Sequence, residues 1–148
     1  MNLQKIATNL TKINLIVGKN NSHFINFMRN RIIDKITYYE SVDRLDYVRT
    51  LFVRRYKYYE HVDRLELFDF ESPTWDSYID KFLSQSDNTI LIMTTNNWEV
   101  FETILESKSW DRVKDNFCCV TYRLDDKSVI RNGQEFDYAV STNSEIRI

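Results

Sequence analysis

Residues 11–22 read Thr-Lys-Ile-Asn-Leu-Ile-Val-Gly-Lys-Asn-Asn-Ser, and this stretch decides the fold class of the chain. Ile13–Val17 is a short apolar run that ends at Gly18, as is typical of a buried strand in a parallel sheet. Ser22 is a favourable N-cap, and apolar residues follow it at helical spacing. The stretch therefore predicts a strand, a glycine turn and a helix.

The turn has the beginning of a phosphate-binding loop but lacks its end. Such a loop reads G-x-x-x-x-G-K-[ST], because backbone N–H groups cradle the phosphates, the lysine reaches the β- and γ-phosphate oxygens, and the hydroxyl holds Mg²⁺. Counted from Gly18, the last three positions are His23, Phe24 and Ile25. None of these side chains can perform those tasks. The pattern predicts a nucleotide-binding fold that has lost the residues that bind the nucleotide.

The composition indicates one globular domain over residues 1–148. Hydrophobic residues make up 43% of the chain, which excludes intrinsic disorder, and no apolar run is long enough for a membrane span. The net charge of −2 argues against a surface built entirely for DNA. Cys118 and Cys119 are adjacent and the only cysteines, and the first residues lack the apolar core of a secretory signal. We therefore expect a cytoplasmic protein without a disulfide framework.

The rest of the chain alternates predicted strands and helices, which indicates an α/β domain. Further strands are predicted at residues 65–70, 89–93 and 117–124, and helices at residues 74–83, 97–107 and about 134–140. A tight turn at residues 125–127 joins residues 120–124 to residues 128–131 in a predicted hairpin. We expect a mostly parallel sheet with helices on both faces and a C-terminal β-hairpin.

One internal repeat is present. Tyr-Tyr-Glu-Ser-Val-Asp-Arg-Leu at residues 38–45 recurs as Tyr-Tyr-Glu-His-Val-Asp-Arg-Leu at residues 58–65. Twenty residues rotate by about 200° along a straight helix, so two copies on one helix would face opposite ways. We expect the copies to lie on separate elements, as an antiparallel helix pair. The alternative is a bivalent binding motif.

Four segments, in this order, resemble the ABC/SMC-like ATP-binding proteins of the AAA and OLD-nuclease type. Residues 9–22 look like the strand and the Walker A opening of that family. Residues 65–72, Leu-Glu-Leu-Phe-Asp-Phe-Glu-Ser, are similar to a Walker B strand, with Asp69 at the place of the Mg²⁺-associated aspartate. Residues 89–99 resemble the strand that leads to the switch loop, and residues 120–124 with 135–148 are similar to the closing hairpin and helix.

The departures from this family indicate that catalysis is lost. Phe70 stands where the catalytic glutamate follows the Walker B aspartate, and Asn96, at the place of the switch histidine, cannot titrate. The glycine-rich signature between Walker A and Walker B is absent. The resemblance implies a reduced P-loop-NTPase-like domain with no catalytic residue, cofactor or metal site. It also implies a vestigial nucleotide site at Gly18, Lys19, Asn20, Asn21, Ser22, Asp69 and Asn96.

We favour a catalytically inactive ATPase-like protein that acts through protein–protein contact, as a regulator or decoy of an active relative. The expected partner is a full-length ABC-like ATPase or a second copy of this chain, bound through an apolar surface at Phe24, Phe27 and Trp98. One alternative is a nucleic-acid-binding module that uses residues 54–59, Arg-Arg-Tyr-Lys-Tyr-Tyr, although a solvated helix face is the simpler interpretation of that segment. Another alternative is a residual nucleotide-binding protein that uses residues 18–22 with Asp69.

Overall fold

The structure is a computed structural model that describes residues 3–19, 22–26, 38–43, 50–55, 59–63, 73–84, 90–125 and 127–147. Its elements in chain order are α1 (Leu3–Thr8), β1 (Ile13–Val17), α2 (residues 22–26), β2 (Tyr38–Asp43), β3 (Thr50–Arg55), β4 (Tyr59–Asp63), α3 (Pro73–Ser84), β5 (Ile90–Thr95), α4 (Trp98–Glu106), α5 (Trp110–Val113), β6 (Phe117–Thr121), β7 (Val129–Asn132) and α6 (Gly133–Ser141). A 3-10 turn at Lys114–Asn116 joins α5 to β6.

Seven strands form one sheet in the order β2-β3-β4-β5-β1-β6-β7. The four central strands, β4, β5, β1 and β6, run parallel to one another. The pairs β2–β3, β3–β4 and β6–β7 are antiparallel. The protein is therefore a mixed α/β domain with an open sheet whose centre is parallel. The predicted C-terminal hairpin is confirmed as β6–β7.

Helices cover both faces of the central sheet. On one face, here called the α4 face, residues of α3, α4, α5 and α6 pack against Leu15, Leu91 and Met93. On the other, the α2 face, residues of α1 and α2 pack against Ile16, Ile92 and Val120. Because β1 is covered on both sides, all five of its residues are buried, and four of them are apolar. The polar one, Asn14, donates hydrogen bonds to the carbonyl oxygens of Thr11 and Leu91 at 2.6 and 3.0 Å.

Most predicted elements are found with shifted ends. β5, β6, α3, α4 and α6 correspond to the predictions at residues 89–93, 117–124, 74–83, 97–107 and 134–140. The predicted strand at residues 65–70 lies outside the described residues.

The two copies of the repeat form strands, so the prediction of an antiparallel helix pair is wrong. β2 and β4 carry the copies and pair with opposite edges of β3. Tyrosine and valine favour strands. Pairing with β3 also supplies the backbone hydrogen bonds that the residues would otherwise form within a helix. In the cationic segment at residues 54–59, Arg54 and Arg55 end β3 and Tyr59 begins β4, so these three residues are not on a helix. Residues 56–58 lie outside the described residues.

Helix α6 has defined signals at both ends. The Asn132 side chain accepts a hydrogen bond from the Glu135 N–H at 2.8 Å, and the Glu135 carboxylate accepts one from the Asn132 N–H at 2.9 Å. This is a capping box. Beyond the last turn, Asn143 adopts a left-handed conformation with φ of 57°, a common way to end a helix. The chain then returns to the sheet, where Ile146 is buried on the α4 face.

We expect Cys118 and Cys119 to resist thiol reagents in the folded protein. Both are free, buried thiols of β6. Burial raises the pKa of the Cys118 thiol from 9.0 to about 11, and burial also raises the pKa of Cys119. Only the thiolate reacts, so the rate of labelling with a chromogenic disulfide at pH 8 should be limited by the rate of unfolding. In denaturant, both thiols should react immediately. Rapid labelling without denaturant would contradict the buried position of β6.

The same shift has a defined effect on stability. A thiol whose pKa is higher in the folded state contributes stability below its unfolded pKa, and this contribution is lost as the pH rises. The free energy of unfolding should therefore fall as the pH rises from 9.0 towards about 11, the ordinary and folded pKa values of Cys118. Urea titrations across this range measure the effect, and a Cys118→Ala variant should show a smaller decline.

Candidate functional site

The carboxyl ends of three parallel strands meet at one edge of the sheet. Val17, the last residue of β1, pairs in register with Thr95 of β5 and with Thr121 of β6. The residues that follow these three positions are thus brought together from distant parts of the chain. We call this region the carboxyl edge.

The chain leaves two adjacent strands at this edge towards opposite faces of the sheet. After β1 it enters α2, whose Phe24 and Ile25 pack on the α2 face. After β5 it enters α4, whose Val100 and Phe101 pack on the α4 face. Open α/β sheets bind their ligands in the crevice that forms at such a point. The region between the ends of β1 and β5 is therefore the candidate functional site.

Gly18 follows β1 and lies close to the backbone of Tyr122, which follows β6. Its φ of +140° is a conformation that side-chain-bearing residues rarely adopt. A Cβ at this position would also lie 2.7 Å from the backbone carbonyl oxygen of Tyr122. The Tyr122 N–H in turn donates to the Val17 carbonyl at 2.8 Å. The turn therefore requires glycine for the close approach of two backbones, independently of any phosphate.

The side chains at the lost lysine and hydroxyl positions do not face the crevice. Helix α2 already includes residue 22, four residues after Gly18, so Phe24 and Ile25 lie within its first turns. Phe24 is fully buried and Ile25 is 5% exposed. The ring of Phe24 packs at a tilt against Tyr122, with centroids 5.3 Å apart. The expectation that Phe24 and Ile25 form an exposed apolar surface is corrected, because the short loop directs both into the core.

His23 and Tyr122 form a pair at the carboxyl edge that no sequence motif indicated. His23 Nδ1 lies 2.5 Å from the Tyr122 hydroxyl oxygen, and the two rings stack with centroids 5.8 Å apart. Tyr122 is buried, and burial raises the pKa of its phenol, so the hydroxyl keeps its proton. Since His23 is exposed, the pair links the surface of α2 to the buried end of β6.

On the other side of the crevice, Trp98 begins α4 and is half-buried. Its ring packs edge-on against Phe101, with centroids 5.6 Å apart, and the Arg147 guanidinium carbon lies 5.8 Å from its centroid. Arg147 also donates to Glu145 at 2.8 Å, and this hydrogen bond lowers the pKa of the Glu145 carboxyl to about 2. The C-terminal residues therefore cover part of Trp98.

Hydrogen bonds fix the same C-terminal residues to the end of β6. The buried Thr121 hydroxyl donates to the Ile146 carbonyl oxygen and accepts a hydrogen bond from Arg131 Nη1 at 3.1 Å. Ile146 itself is fully buried. The ends of β1, β5 and β6 are thus bordered by α2 on one side and by Trp98 and the C-terminal residues on the other.

The structure places only part of the predicted vestigial site. Gly18 is buried at the turn, and Lys19, Ser22 and Asn96 are exposed at or beside the carboxyl edge. The predicted residues Asn20, Asn21, Phe27 and Asp69 lie outside the described part of the chain. Trp98 is at the edge as expected.

The described ranges hold no group of three or more His, Cys, Asp or Glu residues arranged to bind a metal ion. None of the described helices is both long and apolar enough to cross a membrane. Comparisons with known protein families, with curated proteins and with solved structures each found no match.

Proposed function

We propose that this protein is a catalytically inactive ATPase-like domain that acts by binding another protein. The observation that carries this proposal is the burial of Phe24 within a helix that starts four residues after Gly18. Phosphoryl transfer depends on groups held around the γ-phosphate, and the segment that would supply them belongs to the core instead. Phe24 and Ile25, at the positions of the lysine and the hydroxyl of a phosphate-binding loop, are both buried.

The proposed contact surface is the carboxyl edge, without the contribution of Phe24. Lys19, His23 and Asn96 are exposed there, and Trp98 is half-buried on the α4 side of the crevice. A partly exposed tryptophan together with exposed polar residues has the composition of a protein-binding surface, in which an aromatic residue contributes most of the binding energy. The partner is a full-length ABC-like ATPase or a second copy of this chain.

Matched surface variants test this proposal. Asn96→Arg places a bulky charge at the carboxyl edge, and Glu102→Arg places the same residue at an exposed position on α4. After cross-linking in the native host, wild type and Glu102→Arg should both recover the partner, and Asn96→Arg should recover it at least about tenfold less, the equivalent of about 1.4 kcal/mol. Equal recovery by all three would contradict the proposed surface.

The same proteins decide between this proposal and residual nucleotide binding. Calorimetric titration of wild type with Mg²⁺ and ATP should show no binding tighter than the millimolar range, because Phe24 and Ile25 replace the lysine and the hydroxyl that hold the phosphates and Mg²⁺. Micromolar affinity that Asn96→Arg abolishes would instead support a residual nucleotide-binding protein.

A further inference from the structure

The sheet has an open edge at each end. β2 and β7 are the terminal strands, and within the described residues no further strand pairs with their outer edges. The β7 end is also apolar, since Val129 on β7 is 41% exposed and Leu124 in the preceding turn is 55% exposed. Unpaired strand edges offer backbone hydrogen-bonding groups to another chain.

The directions of the two terminal strands suit a sheet that continues from one copy of the protein into the next. β2 is antiparallel to β3, which is antiparallel to β4, so β2 runs in the direction of the central strands. β7 runs against that direction, because it is antiparallel to β6. When two copies lie side by side in the same orientation, β7 of one is therefore antiparallel to β2 of the other. This is the more stable of the two pairing modes.

The strand registers show which residues of β7 and β2 lie on the same face of such a sheet. On β7, Val129 pairs with Thr121 and Arg131 with Cys119, two α4-face positions of β6. Towards the β2 edge of the sheet, Met93 of β5 pairs with Val62 of β4. Val62 pairs with Val53 of β3, which pairs with Glu40 of β2. Directly paired residues share a face, so Glu40 occupies an α4-face position, as does Val42 two residues later.

No carboxylate of the described residues forms an ion pair with Arg131. Its guanidinium is half-buried, and among the described residues its only side-chain hydrogen bond goes to the Thr121 hydroxyl. Val129 and Arg131 are two residues apart on β7, and Glu40 and Val42 are two apart on β2. In an antiparallel pair, Arg131 can therefore stand opposite Glu40 while Val129 stands opposite Val42. Cross-strand pairs of opposite charge and of apolar residues both stabilise a sheet.

We propose that the outer edge of β7 binds the outer edge of β2 from a second copy of this chain, with Arg131 opposite Glu40 and Val129 opposite Val42. A slip of one residue would move all of these side chains to the other face, so the register is specified. The contact joins two different surfaces, so each bound pair leaves one β2 and one β7 edge free for further copies. It uses the sides of the sheet and does not depend on the proposed role of the carboxyl edge.

A charge swap tests this arrangement. Arg131→Glu and Glu40→Arg should each weaken self-association at least about tenfold, because each places like charges opposite one another. The double variant Arg131→Glu with Glu40→Arg should restore the association, and so should an equal mixture of the two single variants. Sedimentation velocity over a concentration series measures all four samples, with circular dichroism to confirm folding.

Two further variants separate the contact from general charge and folding effects. Lys127→Glu makes a similar change at an exposed turn residue and should leave association unchanged, whereas Val129→Asp should weaken it. Glu102→Arg, at an exposed position on α4, should also leave association unchanged. A wild type that stays monomeric into the millimolar range, or single variants that weaken association without rescue by the double variant, would overturn the proposal.

Discussion

Phe24→Lys should destabilise the protein by at least about 4 kcal/mol rather than confer phosphate binding. Removing a buried phenylalanine alone costs about 3 to 5 kcal/mol, and the lysine would add an unpaired charge to a fully buried site. Because whole domains are stable by only about 5 to 15 kcal/mol, much of the variant should be unfolded. Urea titration followed by circular dichroism and tryptophan fluorescence measures the loss.

Asn26→Lys is the matched control, because it introduces the same residue on the same helix at an exposed position. Its effect should stay within about 0.5 kcal/mol, as is usual for surface substitutions. A Phe24→Lys protein that is as stable as this control and binds phosphate would show that residue 24 faces the crevice, and the proposed loss of catalysis would then lose its main support.

Gly133→Ala should destabilise the protein by about 3 kcal/mol or more, at the upper end for overpacked sites. Helix propensity alone predicts that the substitution stabilises the protein, since alanine is favoured over glycine by about 1 kcal/mol within a helix. A Cβ on Gly133, however, would lie 2.1 Å from the carbonyl oxygen of Lys114 and 2.9 Å from its Cα. These are backbone atoms of the turn before β6, so they cannot rotate away. Thermal and urea unfolding distinguish the two signs.

Gln134→Ala, one residue further into α6, provides the comparison for this measurement. Gln134 is exposed, and its substitution should leave the unfolding free energy almost unchanged. A Gly133→Ala protein that is at least as stable as Gln134→Ala would mean that α6 and the Lys114 turn are further apart than the structure places them.

The sequence predicted the elements whose local signals and tertiary environment agree. The buried run Ile13–Val17 and the helices α4 and α6 are examples, since burial and capping hydrogen bonds reinforce what the local pattern indicates. The repeat was misassigned because its two copies were considered only as helices, although their tyrosines and valines favour strands. Only its pairing with β3, which lies between the two copies, decides the outcome.

The candidate site was predicted only where a motif marks a position. Gly18 and Asn96 directly follow β1 and β5, and Trp98 lies two residues after Asn96, so all three are at the carboxyl edge. The side chain of Phe24 could not be placed from a count along the motif, because the start of α2 determines which way it points. The contacts of His23 with Tyr122 and of Arg147 with Trp98 join residues far apart in the chain, and no local pattern encodes them.

The central position of β1 has a consequence during synthesis on the ribosome. Ile13 is made before both of its strand partners, Leu91 and Phe117, which follow it in the chain by 78 and 104 residues. Until then this apolar strand has neither neighbour, whereas β2, β3 and β4 can pair locally as soon as they emerge. The nascent chain therefore carries an unpaired apolar strand until β5 and β6 have been made, which is the condition under which chains aggregate or engage chaperones.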